Sequence, residues 1–302
     1  MSNSKRWEII YILPNIRISE PFENKFVAIV NRDDERINEI TSMNQNLGEF
    51  LDKFHDQFSN QIKPSILIKS RQFKYNSTES LVSFRNILAI SVITKGLEHR
   101  FQRPFQAYPL HSEHFDFYPL TTSINNEILY DTPHINGLLD IENFNAQSKP
   151  FLSGLGNFIL LKTCYLLNFL NEIWLSKYTK SAKTNLDINK LFRSLEMAYQ
   201  ASSIPDKNNN SIYDHGVSTS LWISAFEILA HPGQGPVDKW KVIKLIGEYY
   251  WHVKSTITRN SFKIARSRKI SLVQKLYYEL NETRNDFLHG NKITHNSFRP
   301  YH

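Results

Sequence analysis

Apolar positions follow two rhythms along the chain. In the first half they form short runs closed by turn residues: Trp7–Leu13, Phe26–Val30, and Ser65–Ile68 after Pro64. Runs of this length with such boundaries predict strands. Asp33–Phe58 is polar, with Ile37, Ile40, Leu47, Phe50, Leu51 and Phe54 at helical spacing, and predicts one helix or two. Leu81–Ile93 is long and apolar and predicts a further helix. Phe101–Asn145 is rich in His, Pro, Tyr and Asn and has no period, so loop with short strands is expected there.

The second half keeps a helical rhythm. Gly156–Lys177 is apolar nearly all round and predicts a helix inside a bundle. Leu186–Ser203 repeats at Leu191, Leu195, Ala198 and Tyr199, and Ser218–Ala230 at Leu221, Trp222, Ala225, Phe226 and Leu229. Val237–His252 is amphipathic and basic. Ile270–His289 repeats at Val273, Leu276, Tyr277, Leu280, Thr283/Arg284 and Phe287, with Gly290 placed as a C-terminal stop. The two rhythms predict an α+β chain. A mixed α/β domain of unassigned role covers 1–150, and an all-helical domain covers 151–302. No internal repeat is present.

Composition narrows the classes. Hydrophobic residues make up 41% and aromatics 13%, enough for a packed core, so wholesale disorder is excluded. The one cysteine, Cys164, excludes a disulfide scaffold and a cysteine-only zinc site, and sets the expectation of a reducing, cytoplasmic setting. The longest uncharged run in the apolar region 151–175 is 11 residues, short of the roughly 20 that cross a bilayer, so no membrane association is expected.

The net charge of +7 is unevenly placed. Residues 1–150 hold 16 Lys+Arg against 18 Asp+Glu, so the excess lies wholly in the second half. Lys239–Lys275 holds ten basic residues and one acid, Glu248, with Trp240, Tyr249, Tyr250, Trp251 and Phe262 among them. Basic residues neutralise phosphates and aromatic rings stack on bases, which makes this stretch a candidate nucleic-acid surface. The expected contacts are Lys254, Arg259, Lys263, Arg266, Arg268 and Lys269. A solvated basic helix face with inward aromatics is the alternative.

The sequence contains no His-Glu-x-x-His zinc motif, no phosphate-binding P-loop and no Gly-x-Ser-x-Gly elbow. Gly154-Leu-Gly156 lacks the third glycine of a dinucleotide fingerprint. Asn76-Ser-Thr and Asn281-Glu-Thr match glycosylation sequons, and His111 and His114 flank Glu113. Neither feature is assigned a role, and neither a metal nor a cofactor is expected. One constellation remains: Arg284-Asn285-Asp286-Phe287-Leu288-His289. Asn285 and His289, four apart, share a helix face, while Arg284 lies about 140° from His289 with a side chain long enough to swing round. Such a set can cut RNA. A histidine exchanges protons with a ribose 2′-OH or a leaving 5′-oxygen, an arginine neutralises phosphate charge, and an asparagine orients either. The competing reading is a surface Arg and His near the negative end of a helix.

Arg284-Asn285-x-x-x-His289-Gly290, closing a helix that opens Ser271-Leu-Val-Gln-Lys-Leu-Tyr-Tyr-Glu-Leu, resembles the Arg-x(4–6)-His signature of the HEPN superfamily, closest to its Apea-like branch. Leu191-Phe-Arg-Ser-Leu-Glu-Met-Ala-Tyr and Leu221-Trp-Ile-Ser-Ala-Phe-Glu-Ile-Leu are similar as well, so the likeness spans about 151–302. The resemblance implies a helical bundle that forms a homodimer, with arginine and histidine from two chains lining one cleft. It implies a metal-independent endoribonuclease acting in defence, toxin or RNA-processing roles, or a non-catalytic RNA-binding or dimerisation module. By position Arg284 and His289 match the catalytic pair, Asn285 the polar residue between them, and Glu227 an accessory acid in some members. Asn291 stands where one toxin branch has a tyrosine, which argues against that branch. Thirteen residues follow His289, where the family often adds another helix.

Overall fold

A computed structural model describes residues 7–13, 16–55, 61–73, 78–102, 118–122, 128–131, 136–137, 144–145, 159–160, 164–179, 185–204, 211–235, 237–249, 262–264 and 268–298 of the 302-residue chain. The fold is α+β, in two compact units, 1–181 and 182–302. The first unit contains β1 (Trp7–Leu13), β2 (Arg17–Ile18), β3 (Phe22–Glu23), β4 (Val27–Asn31), α1 (Glu35–Met43), α2 (Gln45–Leu51), β5 (Phe54–His55), β6 (Ser65–Ser70) and α3 (Thr78–Gln102). It continues through β7 (Tyr118–Thr122), β8 (Ile128–Asp131), β9 (Asn136–Gly137), β10 (Phe144–Asn145), β11 (Ile159–Leu160) and α4 (Tyr165–Thr179).

The main sheet runs β3-β4-β6-β1-β7-β8-β9, each neighbour antiparallel. Every residue of β6 is buried, as suits a central strand covered on both sides. Alternation sends Ala28, Val30, Ile66 and Ile68 to one side, where they meet Ile37 of α1 and Leu47, Phe50 and Leu51 of α2. β1 reaches the same core with Ile9 and Ile12, an odd spacing that strict alternation forbids. A bulge between Ile9 and Tyr11 sets two residues against one and reverses the facing. Val27, Ile29 and Leu67 go to the other side and are just as buried. Asn44 separates the two predicted helical turns: it ends α1 and caps α2 by accepting from the Leu47 N–H.

The units part between Ser181 and Ala182 rather than near 150. The cause is α4, which packs on α3. The Trp174 indole donates to the Ser80 carbonyl at 2.9 Å, and its ring meets Phe73 and Phe84 at 5.5 and 5.2 Å. Ile159–Leu160, expected inside a helix over Gly156–Lys177, instead pairs in parallel with β2. Nor does α4 lie in a bundle interior. Leu167, Leu170 and Trp174 are buried while Tyr165 and Phe169 face out. Apolar residues all round a helix do not say which face will be covered.

The second unit contains α5 (Leu186–Ser203), α6 (Ile212–Ala230), α7 (Lys239–Glu248), β12 (Phe262–Ile264), β13 (Arg268–Ile270) and α8 (Leu272–Leu288), then a 3-10 turn, His295–Phe298. It was expected to be all-helical, but β12 and β13 form an antiparallel hairpin. Phe262, Ile264 and Ile270 join Ile223, Val242, Ile243, Ile246 and Tyr277 in one core, so the hairpin closes over α6, α7 and α8. No helix among the described residues is long and apolar enough to cross a membrane.

Candidate active site

Helix α8 carries the motif, and both its ends are fixed by local chemistry. Ser271 and Gln274 form a reciprocal capping box at the start. At the end Asn291 N–H donates to the Asp286 carbonyl and Gly290 N–H to the Phe287 carbonyl, with Gly290 at φ +72°. This is a Schellman stop, and the left-handed residue it needs is the glycine read from the sequence. His289 is therefore the C-cap residue and is exposed.

α8 lies against α7 and α6. Gln274 Nε2 donates to the Ile243 carbonyl at 2.7 Å, and Lys239 pairs with Glu282 at 2.9 Å. At the other end Gly216 of α6 faces the Phe287 ring. A Cβ at Gly216 would sit 2.4 Å from that ring, so only glycine permits this approach. Tyr213 packs edge-on against Phe287, and beside Gly216 the His215 ring meets His295 and Phe298.

Arg284 does not swing toward His289. Its Nη2 donates to Glu227 Oε2 of α6 at 3.1 Å, and its Nη1 donates to Asn285 Oδ1 at 3.1 Å. The Arg284 and Glu227 side chains are 21% and 24% exposed, so the pair is shielded but reachable. Glu227, expected as an accessory acid, is thus brought to the motif, as is Asn285. The backbone N–H of His289 donates to the Asn285 carbonyl, one helical turn back. The His289 side chain makes no hydrogen bond, ion pair or ring contact among the described residues.

Tyr277 and Asn281 lie outside the Arg284–His289 motif. They precede Arg284 by seven and three positions, so the three form one stripe along α8. Tyr277 is 4% exposed and Asn281 3%, which closes the sequon at Asn281 to modification. Burial pushes the Tyr277 phenol well above its ordinary range. The Glu227 carboxylate adds to this, and Arg284 and Asn281 oppose it. The phenol is thus a proton-bearing donor at working pH. Yet its hydroxyl has no hydrogen-bond partner, and neither has Arg284 Nε. Asn281 approaches the hydroxyl outside hydrogen-bonding geometry. Tyr277 reads as one more apolar core position by period alone. The available signal was a polar atom recurring at 277, 281 and 284.

The basic surface is thinner than its sequence. Lys254, Arg259 and Arg266 lie outside the described residues. Lys263 and Arg268 fall in the hairpin, where the register sets Lys263 opposite Lys269. Lys239, Lys244 and Lys275 are paired with Glu282, Glu248 and Glu279. The hydrogen bond to Glu282 holds the Lys239 ammonium above its ordinary value. Lys241 and Lys269 are exposed and have no acidic partner among the described residues. Gly154, Gly156, His111, Glu113 and His114 also lie outside the described residues. Among the described residues no three His, Cys, Asp or Glu side chains are grouped as metal ligands would be. No protein-family model, curated protein or solved structure matches this sequence.

Proposed function

We propose that the chain is a HEPN-type endoribonuclease that cuts RNA without a metal ion, acts as a homodimer in the cytoplasm, and serves in defence or as a toxin. The observation that supports this is the end of α8. There a guanidinium is held in place by Glu227 and Asn285, within two turns of an exposed histidine whose ring is uncommitted. In the proposed reaction the 2′-oxygen attacks phosphorus, the bond from phosphorus to the 5′-oxygen breaks, and a 2′,3′-cyclic phosphate and a 5′-OH result. His289 removes the 2′ proton, and His289 of a second copy returns one to the leaving oxygen. Arg284 offsets the charge growing on the phosphate, and Asn285 orients Arg284. Lys241, Lys269 and the hairpin cations hold the RNA backbone.

The test is purified full-length protein with end-labelled RNA in EDTA. Cleavage persists in the chelator, and His289→Ala lowers it about 10²–10⁴-fold, whereas His215→Ala and His295→Ala, at the same end of α8, leave it near wild type. Unchanged cleavage by His289→Ala sinks the assignment, and complete loss in EDTA sinks the metal-free route. One observation favours a second reading: the Arg284 charge is already engaged by Glu227. A non-catalytic RNA-binding or dimerisation module would then retain RNA, with affinity falling steeply with salt, and cut nothing.

A further inference from the structure

Among the described residues, three buried side-chain atoms lack a hydrogen bond: the Tyr277 hydroxyl, Arg284 Nε and Glu279 Oε2. Two of the three are donors, and both belong to the stripe that faces Glu227. Orphaned buried donors are rare because water would have bonded them in the unfolded chain. Their clustering calls for a reason.

The geometry supplies one. Tyr277 and Arg284 are seven residues apart on α8, so their Cα atoms are about 10.5 Å apart along the axis and point to one face. Helical side chains lean toward the N-terminus, which tilts Arg284 back toward Tyr277. Glu227 stands across from both. Its neighbour Phe226 meets the Tyr277 ring edge-on at 5.8 Å, and its own carboxylate reaches Arg284. Only Oε2 of that carboxylate is engaged. Oε1 accepts no hydrogen bond among the described residues, although an ionised carboxylate has about four acceptor positions.

A phosphate competes with Glu227 for the same guanidinium. If Arg284 turns to a substrate, the Glu227 carboxylate loses its partner inside a shielded site, and a lone buried charge there is costly. We propose that Tyr277 is a positioning residue that takes over Glu227: when Arg284 turns to a phosphate, the phenol O–H donates to the Glu227 carboxylate and keeps Arg284 exchangeable between two partners. The substrate part of this rests on the nuclease reading; the exchange of partners on Glu227 does not. The role needs a hydroxyl that is buried, protonated and unengaged in the free protein, and Tyr277 meets all three conditions.

A double-mutant cycle on the full chain tests it, read by hydrogen exchange of the α8 amides. In the wild-type background Tyr277→Phe deletes an orphan, so exchange stays the same or slows. In an Arg284→Met background, where Glu227 has lost its cation, the phenol is already bonded to Glu227, and Tyr277→Phe speeds exchange about tenfold, the size of one hydrogen bond to a charged group. Arg284→Ala, which likewise removes the cation from Glu227, replaces Arg284→Met should the latter not fold. An equal effect of Tyr277→Phe in both backgrounds overturns the proposal, because that is what a purely structural tyrosine gives. With RNA, Tyr277→Phe lowers kcat about tenfold at unchanged KM, and an unchanged kcat overturns the substrate half. A wild-type protein that cuts no RNA overturns the nuclease reading alone, and the exchange cycle still decides Tyr277.

Discussion

In the first unit, polar groups taken into the core find partners. Lys69, on the central strand β6, pairs with Glu8 directly opposite on β1. Ser65 donates to the Ile16 carbonyl, Ser91 to Ile87, and the Trp174 indole to Ser80. In the second unit α8 behaves otherwise: all three of the unpartnered buried atoms among the described residues lie on it, at Tyr277, Glu279 and Arg284. A lost hydrogen bond on a buried group costs roughly 1–3 kcal/mol, so a region selected only for stability removes such groups or satisfies them. The contrast marks the first unit's core as structural, and it marks the face of α8 opposite Glu227 as a place where something other than stability decides the residues.

The largest expected effect tests the structural side. Trp174→Ala removes three aromatic contacts and leaves the Ser80 carbonyl without its donor. The expected loss is about 3–5 kcal/mol in urea unfolding, typical of a buried Trp. A loss under about 1 kcal/mol would mean that α4 is not part of this core. Gly216→Ala comes next and tests the other side. The new methyl would lie 2.4 Å from the Phe287 ring and must push α8 from α6. Overpacking of this kind costs about 1–3 kcal/mol. Because His289 is two residues beyond Phe287, RNA cleavage should fall further than the stability loss accounts for. Adding Phe287→Leu should restore both. Activity that tracks stability alone would place the functional geometry away from the α6–α8 joint.

Legibility in the sequence followed the kind of signal each element left. β1 and β6 showed as bounded apolar runs because burial leaves Ile9–Leu13 and Ile66–Ile68 without a polar break. The bulge in β1 did not show, since an uninterrupted apolar run hides a change of facing. The hairpin did leave a trace: Phe262 and Ile264 flank Lys263, and Ile270 follows Lys269. The charge count over 239–275 overrode that alternation. The same count overstated the basic surface: Glu279, which neutralises Lys275 one turn on along α8, lies just outside the window, and Glu282 reaches Lys239 only when α8 folds beside α7. Arg284, Asn285 and His289 could be read because they are consecutive on one helix end. The Glu227 contact, 57 residues away, is a product of helix packing, and no local spacing encodes it.

The smallest expected effect concerns the ionic contact between α3 and α4, and it sharpens the contrast by showing a satisfied charge. Glu79 Oε1 accepts from Lys177 at 3.0 Å and from the Tyr178 hydroxyl at 2.9 Å. The Lys177 bond, then that of Tyr178, holds the Glu79 carboxyl below its ordinary 4.5. The native state therefore binds this proton more weakly than the unfolded chain does. The contribution is present above pH 4.5 and is lost as pH falls through the lowered native value. At the basic end, burial alone would lower Lys177, but its bonds to Tyr178 and Glu79 outweigh it and raise it above 10.5. Its share is thus present below 10.5 and lost at still higher pH. The Glu79 side chain is 67% exposed, so water and salt reduce the pair to a few tenths of a kcal/mol. Glu79→Gln should lower the melting temperature by about one degree at neutral pH. The gap from wild type should close as the pH is taken well below 4.5. A gap that persists in acid would show that the carboxylate's charge contributes nothing and that only its shape or neutral hydrogen bonds matter. The satisfied contact of the first unit would then differ from the Arg284–Glu227 pair in kind rather than in completeness.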